Sequence, residues 1–128
     1  MEIRLSSSDG VPVYRQIVNQ VKYMVASGRL RPGQELPPIR NLAERLVINP
    51  NTVVRAYSEL QREGVVESRH GSGTYIREPV ARAAAESAEV LVPKVDSLLA
   101  DAAHLAVKVE KVVELVVKRH AALKKEKP

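Results

Sequence analysis

Residues 49–68, NPNTVVRAYSELQREGVVES, read as a capped helix that hands over to a strand. Asn49 can cap the helix with its side chain, and Pro50 falls where the first helical residue needs no N–H. Val53, Ala56, Tyr57 and Leu60 recur at three- and four-residue spacing as one apolar stripe, and Gly64 stops the helix. The opposite face carries Asn51, Val54, Arg55, Ser58 and Arg62. Beyond it, residues 65–69 and 74–77 read as two short strands, with His70-Gly71-Ser72-Gly73 turning between them.

Working upstream, Pro38 opens a short helix whose inner residues are Leu42, Ala43 and Leu46. Arg31-Pro32-Gly33-Gln34 has turn chemistry: Pro presets the first central residue and Gly accepts positive φ at the second. Pro12 opens a first helix with Tyr14, Ile17, Val18, Val21, Met24 and Val25 on its inner stripe, ended by Gly28 as a left-handed cap. Three helices and a hairpin result. Two helices joined by about four residues and followed directly by a hairpin make a winged helix-turn-helix. The expected fold class is mainly α with a small β-hairpin. An N-terminal winged helix-turn-helix occupies residues 1–78, and a short C-terminal helical dimerisation region occupies 79–128. The outer face of the third helix suits the DNA major groove. Asn can bond adenine bidentately, Arg can bond guanine, and a Val methyl can meet a thymine methyl.

Composition supports the same division. Of the 128 residues, 45% are hydrophobic and 27% charged, a globular balance with net charge +5. Residues 1–78 hold ten Arg and one Lys, whereas 79–128 hold two Arg and seven Lys. All four Tyr precede the boundary, and Ala concentrates after it, eleven against three. Arg is a planar fork suited to phosphate and guanine edges; Lys is a well-hydrated point charge. The absence of Cys excludes disulfides, thiolate zinc sites and Cys nucleophiles. No apolar run approaches the ~18 residues of a membrane span, and MEIRLSSSDG has no signal-like core, so a cytoplasmic protein is expected. His104 and His120, with Glu110 and Glu114, lack the short spacing of a metal helix. With no phosphate loop and no plausible Ser–His–acid set, neither a catalytic residue nor a cofactor is assigned.

The motifs PVYRQIVNQV from Pro12, GRLRPGQELPPIRNLAERL from Gly28, NPNTVVRAYSELQREGVVES from Asn49 and RHGSGTYI from Arg69 follow one another without gaps. Together they resemble the GntR family of bacterial transcription regulators, in particular its short YtrA-like branch. The resemblance implies a homodimeric regulator of double-stranded DNA, usually a repressor, often encoded beside ABC-type transporter genes. Matched residue by residue, it implies DNA contact by Arg40, which opens the second helix. It implies the same for Asn49, Asn51 and Thr52 at the start of the recognition helix and for Arg55 one turn along. Several other branches carry that Arg one position earlier, where this chain has Val54; one residue rotates a side chain by about 100° on a helix. At the wing tip, His70 and Gly71 match a pair that enters the minor groove, with Arg69 beside them.

Plainer assignments compete with these. Arg40 can pair with Glu44, and Arg55 with Glu59, each four residues on. Asn49 is first a helix cap, Asn51 and Thr52 are ordinary first-turn residues, and His70 is a turn residue or a pH-sensitive charge. At the level of the whole protein, the alternatives are a winged helix that binds protein and a nonspecific DNA binder.

In the second region, Val95, Leu98, Leu99, Ala102, Leu105, Ala106, Val109, Val112, Val113 and Val116 form a nearly unbroken heptad seam. Taken literally it is one long helix starting at Pro93, preceded by a helix or helical linker at 79–92, and its stripe needs a covering partner. The resemblance implies instead two helices with a break near Leu105 to Lys108. Val107, which a continuous helix would turn to solvent, favours that break. A seam of Ala and Val without aromatics makes a poor ligand pocket, so dimerisation through 79–128 is expected. No small-molecule effector site is visible in the sequence.

Overall fold

The computed structural model describes residues 1–8, 10–78 and 84–125, with side chains in the last segment from residue 88. The chain forms two compact units, Met1–Pro79 and Val80–Glu126. In the first, α1 (Val13–Ala26), α2 (Ile39–Leu46) and α3 (Pro50–Arg62) precede an antiparallel hairpin of β1 (Val66–Arg69) and β2 (Gly73–Ile76). The hairpin register runs from Val66 opposite Ile76 to Arg69 opposite Gly73. Pro12 and Pro38 take the cap position of α1 and α2, one residue before where sequence alone placed them, as helix-end assignments commonly shift. Gly28 ends α1 with φ +81°.

The core lies where α1 and α2 pack against α3. Ile17, Val18, Val21, Leu42, Val53 and Leu60 lose their solvent contact there, and Val66 and Ile76 close it from the hairpin. Two contributors were not read from sequence. The segment before α2 borders β2 as a third, strand-like edge. Gly33 N–H donates to the Ile76 carbonyl, Ile76 N–H to that of Gln34, and Leu36 N–H to that of Thr74, each at 2.8 Å. It is too short and too close to Pro37-Pro38 to carry a strand pattern, yet it buries Leu36.

The other contributor is the N-terminal segment, which buries Ile3 and is held by two glutamine amides of α1. Gln20 accepts from Arg4 N–H at 2.9 Å and donates to the Arg4 carbonyl at 2.7 Å. Gln16 accepts from Ser6 N–H at 2.8 Å and donates to the Ser6 carbonyl at 2.6 Å. Side chains four apart on a helix and residues two apart on an extended strand repeat at similar distances, so each amide serves as one rung of a ladder.

In the second unit, α4 (Ala84–His104) and α5 (Val109–Lys125) are separated by a tight reversal. Ala106 adopts φ +59°, and Val107 N–H returns to the Ala102 carbonyl at 2.8 Å, a left-handed helix cap made without glycine. The break therefore falls where Val107 pointed. Sequence alone made Pro93 the start of a helix; it lies instead inside α4. It withholds the N–H that the Glu89 carbonyl would otherwise bond, and residues 88–101 are solvent-exposed, so water can serve that carbonyl instead. Of the expected helix or linker at 79–92, residues 79–83 lie outside the described residues. Among the described residues of this unit only Ala102 and Val112 are buried. No helix among the described residues is long and apolar enough to cross a membrane.

Candidate nucleic-acid interface

The helix-turn-helix reversal between α2 and α3 is made by Val47, at φ 55° and ψ 52°. A β-branched residue in the left-handed region is strained, and this one is also 88% exposed. The turn nevertheless closes, because Ile48 N–H reaches back to the Ala43 carbonyl at 3.0 Å. Asn49 then caps α3, its side-chain oxygen accepting from Asn51 N–H at 2.8 Å. Inside, Tyr57 is anchored by donating to the Pro37 carbonyl at 2.7 Å, and burial pushes its phenol pKa well above the usual range.

This orientation leaves one face of α3 outward. Asn51, Val54, Arg55 and Ser58 are exposed and Thr52 is half-buried. Arg40, in the first turn of α2, is exposed; among the described residues it forms no ion pair, so the competing partnership with Glu44 is not made. Nor does Arg55 pair with Glu59. That carboxylate, 17% exposed, accepts from Arg62 Nε at 2.9 Å and meets Arg15 of α1 at 3.5 Å. Its pKa is held down at about 2, chiefly by the hydrogen bond from Arg62. Glu63 adds two links to α1, to Lys22 at 2.6 Å and to Arg15 at 3.6 Å. Glu59 and the C-cap Glu63 thus fix α3 against α1, and Arg55 lies instead over the Tyr14 ring, 3.8 Å from its centroid.

At the hairpin tip, Arg69, His70 and Gly71 are all exposed. Gly71 needs its φ of +73° for the turn. Gly73 is likewise held by its backbone, at φ +138°; a Cβ there would also meet a Glu35 carboxylate oxygen at 2.7 Å, but that is the movable end of a side chain. Arg69 lies over the Tyr75 ring at 4.1 Å and meets Glu67 at 3.3 Å. The first unit therefore displays the eight sequence candidates in three groups: Arg40 on α2, Asn49 to Arg55 along α3, and Arg69 to Gly71 at the tip. Sequence reasoning assigned Tyr14 to the core and missed its contact with Arg55. The available signal was its place at the N-terminal edge of the α1 stripe, where burial is incomplete.

Residues 13–76 match the family of bacterial regulatory proteins named gntR. The chain belongs to the GntR family. It is 36% identical to the HTH-type transcriptional repressor YtrA of Bacillus subtilis, across 95% of both chains. Among solved structures it resembles a transcriptional antiterminator from Listeria monocytogenes, with TM-score 0.78 and 30% identity over 96% of this chain and 92% of that one. It also resembles YtrA from Sulfolobus acidocaldarius, a GntR-family transcription factor, with TM-score 0.63 and 28% identity over 91% and 97%. This GntR protein is a DNA-binding transcriptional regulator of the YtrA-like kind, with double-stranded DNA as its partner. The similarity to YtrA extends through the helical second unit as well as the winged helix.

Proposed function

We propose that this GntR regulator is a homodimeric repressor that reads a pseudo-palindromic operator, with residues 1–78 binding DNA and 79–128 holding the two chains together. The observation that carries the dimer is the surface of α4 and α5. Leu91, Val95 and Leu98 on α4 and Val109, Val113 and Val116 on α5 are exposed, although their spacing is that of a packed seam. Surfaces of this kind mark association sites. A second copy covers like with like, and the two-fold axis so created sets two recognition helices roughly one DNA turn apart. In this reading Arg40, Asn49, Asn51, Thr52 and Arg55 contact the major groove and its flanking phosphates. Arg69, His70 and Gly71 enter the neighbouring minor groove. Occupancy of the operator then blocks polymerase. Counterion release makes binding fall steeply with salt.

The test is the mass in solution by light scattering at micromolar concentration, with Leu98→Glu beside the wild type. Twice the chain mass for the wild type and a single chain for the variant support the reading. A single-chain wild type overturns it.

A further inference from the structure

We propose that Tyr14 is a positioning residue for DNA reading: its ring holds the Arg55 guanidinium in the orientation from which Arg55 meets the DNA. The proposal rests on the reading of Arg55 as a DNA contact. The guanidinium lies at stacking distance, 3.8 Å from the ring centroid, across two different helices. Arg55 is otherwise uncommitted. Among the described residues it makes no ion pair, and Glu59, its neighbour one turn along, is engaged by Arg62 and Arg15. The ring is itself held in place. Tyr14 is half-buried in the first turn of α1, and the Arg15 guanidinium lies 5.4 Å from its centroid. Arg15 in turn meets Glu59 of α3 and Glu63, the residue that caps its C-terminus. Tyr14 and Arg55 line a cleft of 380 Å³ together with Asn49, Asn51 and Thr52, so the ring sits among the candidate contacts and not behind them.

The physical consequence follows from the shape of a guanidinium. Its flat face can lie on an aromatic ring while its N–H donors, which lie in the plane, point outward. Those edge donors are the ones that bond guanine O6 and N7, or a phosphate, bidentately. An unsupported arginine gives up its rotamer freedom on binding, whereas a stacked one has already given up part of it. The stack needs the ring face and not the hydroxyl, so phenylalanine should serve as well as tyrosine.

The test is fluorescence-anisotropy titration of a labelled duplex carrying the sequence that the wild-type protein enriches from a random pool. Wild type, Tyr14→Leu, Tyr14→Phe, Arg55→Ala and the double variant Tyr14→Leu/Arg55→Ala are compared, each first shown to be folded by thermal melting. Tyr14→Leu is expected to weaken binding by about three- to tenfold, as a cation–π contact of ordinary strength implies. Tyr14→Phe keeps wild-type affinity, and Tyr14→Leu has no further effect in the Arg55→Ala background. In the free protein, the Arg55 Nε–H resonance is shifted upfield by the ring and loses that shift in Tyr14→Leu. If Arg55→Ala weakens binding while Tyr14→Leu does not, the positioning role is wrong and the contact reading stands. If Arg55→Ala itself binds normally, both fall. An equal loss from Tyr14→Leu with and without Arg55 assigns Tyr14 a direct contact and overturns positioning through Arg55.

Discussion

The two units solve the problem of burial in opposite ways. The winged-helix unit surrounds its own core: Ile17, Leu42, Val53 and Leu60 have no solvent exposure, and even its N-terminal segment is fastened by two glutamines. The α4–α5 unit has the same kind of amphipathic residues but buries only Ala102 and Val112 among those described. The first carries its stability within one chain; the second presents its apolar side chains outward. The difference fits the two proposed roles, reading DNA on a rigid frame and assembling through an open one. It also predicts that substitutions in the two units respond differently to protein concentration, because only association-linked stability depends on it.

The largest effect is expected in the closed core. Leu42→Ala, at a fully buried site, should cost about 2–5 kcal/mol in chemical denaturation, by the same amount at every protein concentration. Val116→Glu should do the reverse. If the proposed dimer covers this seam, an unpartnered carboxylate there should cost about 3 kcal/mol of dimer stability and show as dissociation on dilution, with the winged helix still folded. If Leu42→Ala proves concentration-dependent, or Val116→Glu unfolds the winged helix, the division between the units is wrong.

A smaller effect compares their turns. Each unit reverses between helices through a non-glycine residue at positive φ, Val47 in one and Ala106 in the other. Glycine removes strain of order 1–3 kcal/mol but adds freedom to the unfolded chain, worth about 0.4–1 kcal/mol. Val47→Gly should therefore stabilise its unit by about 1 kcal/mol, and Ala106→Gly by less, since alanine is not β-branched. Thermal melting of both variants checks the order; a loss of stability in Val47→Gly would show that the valine side chain contributes more than its backbone costs.

The smallest effect is acid sensitivity in the first unit. Glu59 has a folded pKa of about 2 against an ordinary 4.5, set first by its bond from Arg62. Between those values the unfolded chain binds more protons, so the contribution of Glu59 is present above about pH 4.5 and is lost as pH falls through 2. Denaturation measured across that range should show a shallower acid limb in Glu59→Gln than in the wild type.

What the sequence made legible follows the same division. In the first unit, α1 to α3 and the hairpin stood out because periodic stripes were bounded by Pro, Asn and Gly at positions with a backbone meaning. The strand-like edge at 33–36 did not, because two prolines follow so short a segment. The two glutamines did not either, although a glutamine next to Ile17 on a buried face was a signal that its amide had work to do. Asn49 as a cap was legible from the Asn-Pro pair. The Tyr14–Arg55 contact was not, since it joins two helices whose relative placement no single stripe encodes. In the second unit, Pro93 misled because a proline read as a start signal is tolerated within an exposed helix, where water can serve the carbonyl it leaves open.

The measurement that tests the account most directly is selection of bound duplexes from a random pool by the purified protein at near-physiological salt. A sequence-reading dimer predicts enrichment of an inverted repeat, its half-site centres roughly one helical turn or a multiple of it apart. A lone half-site, or uniform weak binding that vanishes as salt rises, would contradict it.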